Sequence, residues 1–220
     1  MEYGRLLSSL QEPDRARVLQ HAVRRELAAG EYLFRTGEPV DSVCFPVQGM
    51  LAVSEESGKG DRRITALIGP DGFALFTFGL GDDVPAPVDC WAVLDTSYLA
   101  VPTSVLRRLI HEIPALGAAL LAYLGWTTRR MSDHLRVCGQ YGIKERTAAT
   151  LLEFALLMGT TAVPIPQKVL AERIGARRET VAVALGQLRE ERIVRTRYRR
   201  VLVNSLEALR TAAGGAAPRM

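Results

Sequence analysis

Between Lys168 and Ile193 the chain reads KVLAERIGARRETVAVALGQLREERI, and its apolar positions fall into two short groups. Val169, Leu170 and Ile174 share one helical face, and Val181, Ala184, Leu185 and Leu188 share another, each at the three-to-four spacing of a buried stripe. Gly175 separates the groups. A glycine there can take the left-handed conformation that closes one helix and lets the next leave at a steep angle. Ala171 is small enough for the two helices to cross closely. The pattern predicts a helix-turn-helix whose second helix opens on Arg177, Arg178 and Glu179; a helical hairpin with a solvated charged start is the plainer alternative.

Upstream, residues 1–29 carry short helical patterns, with Val18, Leu19, Val23 and Leu27 expected on one face. From Gly30 the period changes. Glycine or proline interrupts the chain every eight to twelve residues, and SVCFPV, MLAVSE, RITALI, VDCWAVL and SYLAVP favour strands, the rhythm of a β-sandwich or jelly roll. A short helix is expected over 103–111 and a long one from Pro114 to about Cys138. Steps of four and three through Ile113, Gly117, Leu120, Leu124, Thr127, Met131, His134 and Cys138 predict a coiled-coil seam; packing of the same helix on its own β domain is the competing reading. Residues 143–158 should form another helix, with Ala148, Leu151, Leu152, Ala155 and Leu156 inward. GTTAVPIP reads as a connection, IVRTRYRRVLVN as a two-stranded wing, and TAAGGAAPRM as a disordered tail.

Charge sharpens this picture. The net charge is only +4, but residues 141–220 hold fourteen Lys and Arg against seven Asp and Glu, whereas residues 1–140 hold fourteen against seventeen. A basic C-terminal part joined to a slightly acidic partner is the electrostatic footprint of nucleic-acid binding. At the start of the second helix, Arg178 can donate two bonds to guanine, Glu179 can accept from cytosine, and Thr180 can hold a phosphate. Cys44, Cys90 and Cys138 lie too far apart for a metal or disulfide framework, and residues 30–105 contain no histidine. No catalytic set, metal site or cofactor is therefore assigned. No apolar run approaches the roughly 20 residues that cross a bilayer, and the polar N-terminus is unlike a signal peptide, so a cytoplasmic protein without a membrane partner is expected.

The order of parts resembles the cyclic AMP receptor protein and fumarate-nitrate regulator family of bacterial transcription factors. LAAGEYLFRTGEPVDSVCFPVQGMLAV fits the opening of the family's sensor domain, and IPQKVLAERIGARRETVAVALGQL its DNA-binding motif. The resemblance implies an α+β chain: an N-terminal jelly-roll sensor domain over 1–112, a long dimerisation helix over 113–140, and a winged helix-turn-helix over 141–220. It implies a homodimer on a near-palindromic double-stranded DNA operator, with RNA polymerase as a candidate partner. Ile113, Leu120, Leu124, Thr127, Met131 and Cys138 would then form the dimer seam. Arg178, Glu179, Thr180 and Val181 match the family's Arg-Glu-Thr-Val; its second arginine is Val183 here, which can touch a thymine methyl but cannot donate to guanine. Arg178, Glu179 and Val183 are thus expected to read bases. Gln167, Lys168, Arg177 and Thr180, with Arg197, Arg199 and Arg200 on the wing and Arg195 beside them, are expected at phosphates.

The sensor site departs from the family. Members that bind cyclic AMP carry Gly-Glu followed some ten residues later by Arg-Ser or Arg-Thr; here Phe73 follows Gly72, and no arginine lies between Arg63 and Arg107. Asp82 and Asp83 offer a phosphate the wrong sign. An effector other than cyclic AMP is expected, with Gly72, Phe73, Ala74, Leu75, Ala86 and Pro87 as its candidate pocket, unless these residues simply fill the β core. No N-terminal cysteine cluster suits an iron-sulfur centre, and His21 or His111 would be the candidate haem ligands. Two other readings remain: a regulator that binds DNA only when a small molecule or haem is bound, and, more remotely, a jelly-roll metalloenzyme.

Overall fold

The computed structural model describes residues 4–56, 61–74 and 85–218, and the chain divides into two compact units. The first comprises residues 1–54 and 67–128, and the second residues 55–66 and 129–220.

The first unit opens with helices α1 (Arg5–Ser8) and α2 (Glu12–Leu19). Strands β1 (Val23–Leu27), β2 (Tyr32–Phe34), β3 (Ser42–Gln48), β4 (Leu51–Glu56), β5 (Arg62–Ile68), β6 (Asp89–Ala92) and β7 (Thr96–Pro102) follow, then helix α3 (Thr103–Glu112). Their sheets run β1-β7-β3 and β2-β6-β4-β5, and the end of β4 and most of β5 group with the second unit. Pro46 lies within β3 where the register with β7 shifts, between Pro46 and Gln48, and such an irregularity accommodates a residue without an N–H. The expected helical face through Val23 and Leu27 is not formed. That stretch is β1, paired antiparallel with β7 from Val23 opposite Ala100 to Leu27 opposite Thr96. Val18 finds the core while Val23 is exposed, so sheet pairing satisfies a backbone whose side chains have no apolar face to fill.

Helix α4 (Pro114–Gln140) is as long as the periodicity predicts, but it is rotated from the expected face. Ile113, Leu116, Leu120 and Tyr123 pack with Leu6, Phe45, Phe73, Val101 and Leu106 in one core. Ile113 and Leu120, expected to meet another copy, are core residues of their own chain. Leu124, Thr127 and Cys138 are half-buried and Met131 is exposed. The unpartnered line lies one residue further on. Ala118, Leu121, Gly125, Thr128, Ser132, Leu135 and Gly139 alternate steps of three and four and are all exposed, Leu121 and Leu135 at 72% each. One residue is about 100° of helix, enough to exchange an inward seam for an outward one.

Tyr123 also makes a polar bond within this core. Its hydroxyl accepts from the Phe73 N–H at 2.9 Å and lies 3.2 Å from the Phe73 carbonyl, to which it donates. Gly72 permits the approach, since a Cβ there would stand 2.9 Å from the same hydroxyl and from Ile68.

The second unit contains α5 (Ile143–Met158), β8 (Ala162–Val163), α6 (Gln167–Ile174), α7 (Arg178–Glu190), β9 (Val194–Arg197), β10 (Arg200–Val203) and α8 (Leu206–Ala213). The wing is three-stranded, in the order β8-β10-β9, because Ala162 and Val163 of the expected connection pair with Leu202 and Val201. The tail expected to be disordered is folded as far as it is described. Ser205 caps α8 by accepting from the Ala208 N–H at 3.1 Å, and a 3-10 turn follows over Gly214–Ala216. Leu209, Ala213 and Ala216 are buried, and Arg136 donates to the Gly215 carbonyl at 3.1 Å. Small residues close the tail onto the unit instead of loosening it.

Tyr123→Phe removes the hydroxyl that bonds two buried backbone groups of Phe73 and is expected to cost about 1 to 3 kcal/mol. Urea unfolding of the full chain measures it; an unchanged midpoint would show that water replaces the hydroxyl without loss.

Candidate nucleic-acid interface

Gly175 ends α6 at φ +72°, and the N–H groups of Gly175 and Ala176 both donate to the Ala171 carbonyl, at 2.9 and 3.1 Å. This left-handed close ends α6, and α7 begins three residues further on at Arg178. Arg177 occupies the N-cap with extended backbone and no side-chain capping bond. A Ser or Asp there would satisfy the first-turn amides; an arginine leaves them facing outward beside its own charge, an arrangement suited to a phosphate.

The inner face of α7 is Val181, Ala184, Leu185 and Leu188, all buried. Consequently Arg178, Glu179, Thr180 and Val183 face solvent, with Val183 64% exposed. Lys168 is exposed on the first turn of α6, and Gln167 beside it is half-buried. Lys168, Arg177 and Arg178 line one cleft of about 840 Å³ together with Glu55, Glu56 and Asp61 from the end of the β4–β5 hairpin. Gln167, Thr180, Val183 and the wing arginines are not part of that cleft's lining. Arg195, Arg197, Arg199 and Arg200 are all exposed on or beside β9 and β10.

Beneath this surface lies a charged cluster that the apolar patterns did not reveal. Arg173 is 4% exposed; it donates to both carboxylate oxygens of Glu153 at 3.2 Å and to the Thr65 carbonyl at 2.7 Å. Arg130 donates to Glu153 Oε1 at 2.6 Å. Burial alone would raise the Glu153 pKa, but Arg173 and Arg130 override it and hold the carboxyl at about 2. His134 is pushed down to about 4, first by burial and then by Arg173. The signal available in the sequence was an arginine between Leu170 and Ile174 on an otherwise apolar face.

The candidate effector residues lie elsewhere, in the first unit. Phe73 is buried, with its ring 5.4 Å from that of Phe45 and 4.2 Å from that of Tyr123. Ala74 exchanges backbone bonds with Cys44, and Ala86 is buried while Pro87 is exposed. Leu75, Asp82 and Asp83 lie outside the described residues. Burial pushes the Cys44 thiol up to about 12 and the Cys90 thiol well above its ordinary value, so both are held protonated. Among the described residues, no group of three His, Cys, Asp or Glu is placed to hold a metal ion, and no single helix is long and apolar enough to cross a membrane.

The acid response of this cluster follows from its signs. His134 has a folded pKa below its ordinary 6.5, so between about 6.5 and 4 the unfolded chain binds a proton that the folded one refuses, and stability falls as pH falls. Glu153 contributes stability that is present above 4.5 and is lost as pH drops toward 2. Thermal unfolding across pH 7 to 4 is expected to show a decline of at most about 1.4 kcal/mol per pH unit, and His134→Gln to remove its upper part. Identical profiles for the two proteins would place the decline elsewhere.

Comparison with known proteins agrees with this arrangement. Residues 24–112 match the cyclic nucleotide-binding domain model, and residues 145–212 match the Crp-like helix-turn-helix domain model. A CRP-like cAMP-activated global transcriptional regulator of Mycobacterium tuberculosis is 24% identical over 187 residues, 82% of this chain and 83% of that protein. The global nitrogen regulator of Synechococcus elongatus is 22% identical over 188 residues, 82% of this chain and 85% of that protein. Among solved structures, FixK2 from Bradyrhizobium japonicum superposes with a TM-score of 0.77 at 22% identity, covering 90% of this chain and 98% of that one. With a β-sandwich that matches the cyclic nucleotide-binding domain followed by a Crp-like helix-turn-helix, the chain belongs to the Crp/Fnr family of transcriptional regulators.

Proposed function

We propose that the protein is a homodimeric, cytoplasmic regulator that binds a near-palindromic operator, with Arg178, Glu179 and Val183 reading base edges in the major groove. The observation that carries this reading is the exposed first turn of α7, separated from α6 by the left-handed turn at Gly175 and bearing side chains that match base edges. Arg177, Thr180, Gln167 and Lys168 hold phosphates on either side. The wing arginines extend the contact, and RNA polymerase is the further partner through which binding alters transcription. The effector is not cyclic AMP, because the segment from Arg63 to Arg107 supplies no arginine for a cyclic phosphate.

The partner copy meets the exposed seam of α4. Leu121 and Leu135 supply its apolar anchors, and Ala118, Gly125, Ser132 and Gly139 let two helices approach closely. This line replaces one through Ile113 and Leu120, which are occupied in their own chain's core. Dimerisation also answers an area problem, since a single recognition helix buries too little DNA for tight specific binding.

Two sets of variants test the proposal. Arg178→Ala is expected to cost about 1 to 3 kcal/mol on the best operator and to relax preference at one base pair per half-site. Lys168→Ala should weaken all sequences alike and reduce the salt slope by about one. The binding of each to an operator series, chosen by selection from random DNA and varied in salt, measures both; a loss equal on every sequence would make Arg178 a phosphate clamp. Half-sites should lie about 34 Å apart. For the seam, Leu121→Glu is expected to give a folded monomer in sedimentation at micromolar concentration, where the unaltered chain is a dimer; a dimer that survives both Leu121→Glu and Leu135→Glu would place the interface elsewhere.

A further inference from the structure

Three locally unfavourable features meet at the tip of the wing. β9 and β10 are joined by two residues, Tyr198 and Arg199, since Arg197 and Arg200 are directly opposite each other in the ladder. Tyr198 is 88% exposed, an unusual setting for an aromatic ring. Arg199 adopts φ +54°, where a glycine or asparagine would be at ease and a long side chain is not. Arg197 and Arg200 set like charges across one strand pair, which opposes pairing. Among the described residues, none of these four groups makes an ion pair or ring contact with its own chain. The other non-glycine residue at positive φ, Arg192, differs: its carbonyl accepts from the Asn204 amide at 2.7 Å, so that turn is satisfied locally.

The strand burial explains how the tip persists. Val194, Val201 and Val203 are buried on the inner face, with Thr196 half-buried between them, and they fix the hairpin regardless of what stands outside. The outer face carries Arg195, Arg197 and Arg200, so the strained turn presents a concentrated positive charge with an aromatic ring at its apex. Such strain, where the fold over-determines it, points to a partner that relieves it. A partner with two negative walls separated by a narrow gap fits: the paired guanidiniums can each face a wall while the residue at the apex enters between them.

We propose that the wing tip reads the minor groove flanking each half-site, with Arg199 entering the groove and Tyr198 lying against its sugars. The proposal rests on the DNA-binding reading above and adds to it a second, independent source of specificity. A·T-rich minor grooves are narrower and more negative than G·C-rich ones and draw an inserted arginine more strongly. The flanks of the operator are then selected by width, at positions no residue of α7 reaches. A phosphate clamp would be indifferent to the flanking composition.

The experiment uses the full-length chain and duplexes carrying the half-sites recovered from random DNA, flanked by either A·T or G·C tracts. The unaltered protein is expected to prefer A·T flanks about fivefold. Arg199→Gly, which suits the turn and so keeps the unfolding midpoint or raises it, should bring that preference below about twofold while leaving base preference inside the half-site intact. Tyr198→Ser should weaken binding to both flank types. Equal loss on both flanks in Arg199→Gly, or no flank preference in the unaltered protein, overturns the minor-groove assignment and leaves major-groove reading standing. Unchanged binding by both variants overturns it too, and assigns the tip to a protein partner. Failure of the unaltered protein to select any DNA sequence is the separate result that removes the DNA-binding reading itself.

Discussion

The second unit depends on one buried carboxylate. Glu153 stands on α5, whose other inward residues are uncharged, and receives Arg130 from α4 and Arg173 from α6. A carboxylate withdrawn from water this far is tolerable only if cations and donors replace its hydration, and two guanidiniums do so. Arg173 then spends its remaining reach on the Thr65 carbonyl of β5. Three helices and the middle of β5 are thereby held by one set of charges, and the first helix of the helix-turn-helix is positioned by that set as much as by Val169, Leu170 and Ile174. Replacing the cluster with apolar side chains of equal volume could leave the unit as stable, so its value lies in fixing one arrangement.

What was legible in the sequence was local. Gly175 between two apolar groups specified a left-handed turn, and the apolar stripe after it specified which side chains of α7 face outward. The strands of the β-sandwich were visible for the same reason, because glycine and proline mark their ends. Interactions across long sequence distances were not visible. Nothing near Val23 announces that β7, more than seventy residues on, will offer it a ladder. Nothing in Thr65 announces Arg173. The tail misled in the opposite way: its alanines and glycines look like a linker, yet small side chains are what a cramped site beneath Tyr141 and α5 accommodates, and Ala213 and Ala216 are buried there.

Helix α4 shows where periodicity stops informing. A four-three pattern runs through Ile113 and Leu120, and another runs one residue later through Leu121 and Leu135. Spacing alone accepts both. The choice is made by Phe73 and Phe45, aromatic rings from the sheet side that need a lining, and Ile113, Leu116, Leu120 and Tyr123 supply it. The outward seam is what remains, and its small residues now read as a surface for close helix approach instead of as weak points in a coiled coil.

The division of faces along α7 and the wing has a further consequence. Val181, Leu185 and Leu188 face inward on the helix and Val194, Val201 and Val203 on the hairpin, so packing is confined to one side of each element. Arg178, Glu179, Val183 and Arg199 stand on the other side. Substitutions among the outward residues leave the inward set untouched, and a lineage carrying this fold can drift in what it recognises while its folding free energy stays nearly constant. At the wing tip the choice is narrower, since at the left-handed Arg199 glycine or asparagine relieves the backbone and most other residues do not. In the proposed reading, stability and recognition are inherited on opposite faces of the same few turns of chain.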